Sequence, residues 1–173
     1  MTESTPGVEE WKKQTSAFDR VQSISNTLSQ PRSASYIADE AHVAENTART
    51  HLERLVSLNV LLESDQEGTT VYSPDPLHIR MQTLRDLLES HTHDELLQLK
   101  TELQAQLRDW RTEYGVNSPA DLRAHAAKTE TPSQTRRIKK TASDWELTAY
   151  RLSVVEDAIE NYAIYNDDYR AAP

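Results

Sequence analysis

Within six residues, Glu45, Asn46, Thr47, Arg49 and Thr50 set a carboxylate, a carboxamide, a guanidinium and two hydroxyls close together. Each group matches a base edge or a phosphate oxygen. An arginine fork fits O6 and N7 of guanine, an asparagine amide fits N6 and N7 of adenine, and a glutamate accepts from the N4 amine of cytosine. Threonines suit a phosphate oxygen or a thymine methyl. Such chemistry needs one rigid face that carries all of these groups. Helical periodicity supplies it: with Ala48, Leu52 and Leu55 turned inward, Glu45, Asn46, Arg49, Thr50 and Glu53 turn outward.

The surrounding elements must hold that face in place. Ser16 and Asp19 have capping-box spacing, and Ala17, Val21, Ile24 and Leu28 then recur at helical intervals. "SQPRS" ends this helix at Pro31. Ser33 is positioned to cap the next one, with Ala34, Ile37, Ala38 and Ala41 facing inward. After the turn "EAHVAEN", a third helix has the buried stripe Ala48, Leu52, Leu55 and Leu58. "VLLES" and "TTVYS" predict two short strands around "DQEG", with Gly68 at the tip. "SPDP" closes the module, because a proline cannot continue a strand ladder. Helix, helix, helix, hairpin predicts a winged helix-turn-helix over residues 1–76. His42 in the turn and Asn59 after the third helix stand where glycine is usual; both types tolerate positive φ. Val43 is placed to plug the corner. Arg32, Ser33 and Ser35, at the start of the second helix of the motif, suit backbone phosphates, and Arg54 adds a cation to the third helix.

Residues 77–173 read as a helical region for dimerisation or effector binding. Leu77, Met81, Leu84 and Leu88 form one stripe. A Thr92/Glu95 capping box then leads into Leu96, Leu99, Leu103, Leu107 and Trp110, and Ser118 and Pro119 start a short helix. From Gln134 to Asp167 a single helix of ~50 Å is expected, at ~1.5 Å per residue. Its stripe, Trp145, Leu152, Val155, Ile159 and Tyr162, predicts a coiled-coil-like homodimer interface. An antiparallel pair within one chain would bury it as well, and a small-molecule effector between the helices is a further option. The one concentrated basic patch is Lys128, Arg136, Arg137, Lys139 and Lys140 against Glu130; it suits flanking phosphates, acidic neighbours or plain solvent. His91, His93, Asp94 and Glu95 crowd together, but alternate residues of a helix point apart, so no metal or other cofactor is expected.

The formal net charge is −9, which suits either an acidic partner-binding surface or a solvated surface in a salt-rich cytosol; only six lysines and carboxylates dispersed along the chain resemble the latter. Residues 1–75 carry twelve acids and six bases, a net −6. Hydrophobic residues make up 36%, which favours extended, incompletely buried helices. The absence of cysteine excludes disulfides, thiolate metal sites and cysteine nucleophiles. With three glycines, no phosphate-binding glycine loop is expected, and no Ser-His-Asp set suggests an enzyme. Neither a membrane-spanning run nor a basic-then-apolar leader is found, so a cytoplasmic location is expected.

"SASYIADEAHVAENTARTHLERLVSLNVLL" resembles the winged helix of ArsR-type bacterial and archaeal regulators. With "EWKKQTSAFDRV" and "WELTAYRLSVVEDAIENY" included, most of the chain resembles a haloarchaeal family of winged-helix proteins. The resemblance implies a sequence-specific transcriptional regulator whose partner is double-stranded promoter or operator DNA. It implies no ligand, because the metal-binding cysteines of many ArsR-type sensors are missing. The acidity of the module keeps a second reading open, a winged helix that serves as a protein–protein adaptor.

Overall fold

The computed structural model describes residues 6–129 and 131–165. The chain forms two compact units that divide between Arg80 and Met81, four residues past the boundary expected at 76. In the first unit, α1 (Pro6–Gln14) precedes α2 (Ala17–Asn26), β1 (Arg32–Ser33), α3 (Ala34–Glu40), α4 (Glu45–Ser57), β2 (Leu61–Gln66) and β3 (Thr69–Pro74). The strands form an antiparallel sheet in the order β1-β3-β2. This is a winged helix-turn-helix. Its core joins Val21 of α2, Ile37 and Ala38 of α3, and Ala48, Leu52 and Leu55 of α4 to Leu61 and Tyr72 of the sheet.

The caps follow from the residue types. Ser16 and Asp19 satisfy each other's orphan N–H groups, and the Ser33 hydroxyl accepts from Tyr36 N–H. β1 was not foreseen from sequence: two residues after a proline carry no strand signal, and only pairing with Val71 and Tyr72 makes them a strand. The hairpin is also tighter than expected. β2 continues through Asp65 and Gln66, leaving Glu67 and Gly68 as a two-residue turn. Both have positive φ, 54° and 79°, the geometry of a type I′ turn, which matches the twist of the flanking strands. Pro74 lies inside β3 opposite Leu61. It is tolerated because β1 is too short to reach that level, so β3 has a neighbour there on one side only. Leu58 was expected in the α4 stripe but is 57% exposed, because the helix ends at Ser57 and the chain turns away.

The second unit continues α5 (Pro76–Ser90) from Met81 and adds α6 (His93–Tyr114), α7 (Pro119–Ala126), α8 (Pro132–Glu160) and α9 (Tyr162–Tyr165). Reciprocal bonds between Thr92 and Glu95 start α6, and Gly115, at φ 62°, ends it. Proline at the first helical position starts both α7 and α8, the latter two residues earlier than Gln134. α8 stops at Glu160, short of the expected Asp167, which lies outside the described residues.

The α8 stripe is buried within its own unit. Ala142 and Trp145 pack with Leu107, Val116 and Leu122; further along, Val154, Val155 and Ala158 pack with Leu84, Leu87 and Leu96. Trp145 is 2% exposed and Val155 0%. Leu152 leans on the first of these cores, and Ile159 and Tyr162 lean on the second. The stripe therefore no longer calls, by itself, for a second chain. Ion pairs frame it: Lys100 with Glu156 at 3.3 Å, Arg137 with Glu113 at 3.3 Å, and a two-pronged Arg123–Glu146 pair. Among the described residues no helix is long and apolar enough to cross a membrane.

Candidate nucleic-acid interface

Two matching chain reversals set the path of α4, one at the helix-turn-helix corner before it and one at its exit toward β2. After α3, Val43 N–H donates to Ala38 C=O at 3.0 Å and His42 N–H donates to Asp39 C=O at 3.2 Å. After α4, Val60 N–H donates to Leu55 C=O and Asn59 N–H to Val56 C=O, both at 2.9 Å. Each is a Schellman motif, which needs a left-handed residue just past the helix. His42 and Asn59 fill that position at φ 51° and 56°, as their types allowed. Val43 packs against the core and closes the angle between α3 and α4.

Arg20 is a contributor that sequence reasoning missed. It is only 8% exposed; its Nε donates to Ala41 C=O at 2.9 Å and its Nη1 to Thr15 C=O at 2.7 Å. The guanidinium also lies 5.9 Å from the Trp11 ring, whose edge contacts His42. A long cation flanking the Ala17–Val21–Ile24 stripe was the available signal. Its bonds tie α2 to the first residue of the turn, so the corner is fixed by a buried charge as well as by packing.

On this corner α4 presents the predicted face. Ala48, Leu52 and Leu55 are 0% exposed, whereas Glu45, Asn46, Arg49, Thr50 and Glu53 are exposed and Thr47 is half-buried. Glu45 and Arg49 pair along the helix, and Thr50 Oγ1 donates to Asn46 C=O at 3.1 Å. Ala44 precedes α4 without a side-chain cap, so the first-turn N–H groups have no side-chain partner among the described residues, on an exposed helix end. The remaining predicted residues divide. Arg32 stacks 4.5 Å over the Tyr36 ring, in a shallow groove it shares with Ser33, Val71, Gln66 and Glu67. Ser33 spends its hydroxyl on capping α3, and Ser35 is exposed beside it. Arg54 lies apart from Arg49, 5.1 Å over the Phe18 ring of α2.

The electrostatics are mixed. Glu63, Asp65 and Glu67 alternate along the hairpin, and the Asp65 carboxylate accepts from Gly68 N–H at 2.9 Å. Burial pushes the Tyr72 hydroxyl above its usual range, and the charge of Glu63 adds to the shift. Elsewhere, Lys140 of the basic patch pairs with Asp144 at 2.7 Å, while Glu130 lies outside the described residues. His91 Nδ1 sits 2.7 Å from Ser90 Oγ, and the His93 ring meets the edge of Tyr162. Among the described residues no three His, Cys, Asp or Glu side chains converge on a common metal position.

A model described as "Family of unknown function (DUF7342)" matches residues 15–164. The chain belongs to this family. The DUF7342 match runs from the residue before the α2 cap into α9, so it takes in the corner, the hairpin and the long helices. None of the curated proteins matches the chain. One solved structure similar to this DUF7342 member is described as "Crystal Structure of a transcriptional regulator"; it is 16% identical, with a TM-score of 0.36, covering 91% of this chain and 92% of that one.

Proposed function

We propose that this DUF7342 protein is a sequence-specific DNA-binding transcriptional regulator that acts as a homodimer. The observation that carries the reading is the exposed N-terminal face of α4, a helix held between one Schellman reversal before it and one after it, and bearing Glu45, Asn46, Arg49 and Thr50. The first turns of such a helix enter the major groove in helix-turn-helix proteins, where these side chains reach base edges. The uncapped start of α4 offers N–H groups to a phosphate, and Arg32 in β1 and Ser35 at the start of α3 are further phosphate donors.

Acidity sets the conditions of binding. With a net −6 over residues 1–75, long-range attraction to phosphates is absent, and direct contacts dominate once salt screens repulsion to ~3 Å at molar strength. The homodimer rests on exposed apolar side chains of α8, because Trp145 and Val155 are already covered: Leu147 is 66% exposed and Tyr150 38%. Two-fold symmetry then places half-sites ~34 Å apart or a multiple of it. The test is genome-wide immunoprecipitation of the tagged protein in its host, with light scattering on the purified chain. Discrete promoter peaks sharing a two-fold motif, and a dimer mass, are expected. A protein partner recovered without DNA peaks would favour the adaptor reading, to which the acidic hairpin lends weight.

A further inference from the structure

Over the first two turns of α4, Arg49 is the only arginine or lysine and Glu45 the only acid. Glu45 Oε1 accepts from Arg49 Nε at 3.2 Å and from Nη2 at 2.5 Å, so one oxygen grips one edge of the guanidinium. Nη1 and the outward hydrogen of Nη2 remain as an end-on fork. Glu45 Oε2 has no hydrogen-bond partner among the described residues. Both side chains are about half-exposed, at 45% and 48%, on the face assigned to base reading. Glutamate four residues before arginine is the favourable order along a helix, and the helix dipole supports a carboxylate in the first turn.

Resting on the DNA reading above, we propose that Glu45 is a positioning residue that makes Arg49 a reader of guanine rather than a holder of phosphate. An unpaired arginine rotates freely and binds phosphates of any sequence. Paired, it presents a fixed fork that fits O6 and N7 of guanine, and the pair carries no net charge to release counterions. The free Oε2 then accepts from an amino group on a neighbouring base, the N4 of cytosine or the N6 of adenine. A base that offers a carbonyl there meets an unpaired carboxylate and is rejected. The element read is a two-base step, guanine beside an amino-bearing base.

The experiment selects duplexes from a random library with the full-length protein, then compares wild type with Glu45→Gln on the selected duplex and on a scrambled one across a salt series. In Glu45→Gln the freed charge should tighten binding to scrambled DNA severalfold and steepen the salt slope by about one unit. The preference for the selected duplex should fall by about tenfold, concentrated at the two-base step. An unchanged preference and salt slope would overturn the proposal and leave Glu45 an ordinary helix-surface partner. A wild-type protein that enriches no duplex would instead overturn the DNA reading and this inference with it.

Discussion

α4 in the first unit and α8 in the second both carry an apolar stripe, and the two stripes are covered in different ways. α4 is 13 residues long, with Ala48, Leu52 and Leu55 on one line, all facing one core. α8 is 29 residues long, and its stripe is shared between two separate cores. The partners of Trp145 come from α6, α7 and the loop between them, those of Val154 and Val155 from α5 and α6. Period alone tells that a face is covered; what covers it depends on where other elements return. For a short helix these come to nearly the same thing. For a long helix they do not.

Truncating one core residue in each unit sharpens this comparison. Trp145→Ala should cost ~3–5 kcal/mol and Leu52→Ala ~2–5 kcal/mol, because both side chains are fully packed. Amide hydrogen exchange should place each loss in the unit that holds the substitution, α6–α8 for Trp145 and α2–α4 for Leu52. Equal loss of protection in both units after either change would break the distinction.

A smaller difference is expected in acid. Asp19 in the first unit is held below the usual carboxylate range by the Ser16 hydroxyl and N–H. In the second unit the Thr92 N–H and hydroxyl do the same for Glu95, and the Arg123 guanidinium does so for Glu146. A carboxylate whose folded pKa is depressed stabilises the fold above its unfolded pKa, and that contribution is lost as pH falls through the folded value. Stability should therefore decline below the usual carboxylate range, more steeply in the second unit, which has two such groups against one among the described residues. Urea unfolding followed by resolved amide signals from pH 7 downward checks it. Glu95→Gln should flatten the acid limb of the second unit; an unaltered limb would remove the capping box from the account.

Local chemistry made most of the first unit legible. Ser16, Ser33 and Asn59 announced their roles by residue type, and His42 by its place in the turn. What escaped depended on distant partners. β1 exists through Val71 and Tyr72, some forty residues on. Arg20 is buried because the Ala41 and Thr15 carbonyls wait for it. Pro74 stays in its strand because β1 is short, and Leu58 is exposed because α4 ends one residue before it. At the candidate interface, the outward face of α4 followed from periodicity, whereas the grip of Glu45 on Arg49 and the separate placement of Arg54 over Phe18 needed coordinates.

The central claim, that α4 reads bases through a face distinct from the one it buries, is tested most directly by Arg49→Ala. Arg49 is exposed and outside the core, so its removal should leave the thermal melt unchanged. Fluorescence anisotropy on the selected duplex, from low to molar potassium chloride, should show a loss of ~1–3 kcal/mol with relaxed choice at one base pair. An Arg49→Ala protein that melts normally and binds the selected duplex as tightly and selectively as wild type would contradict the claim.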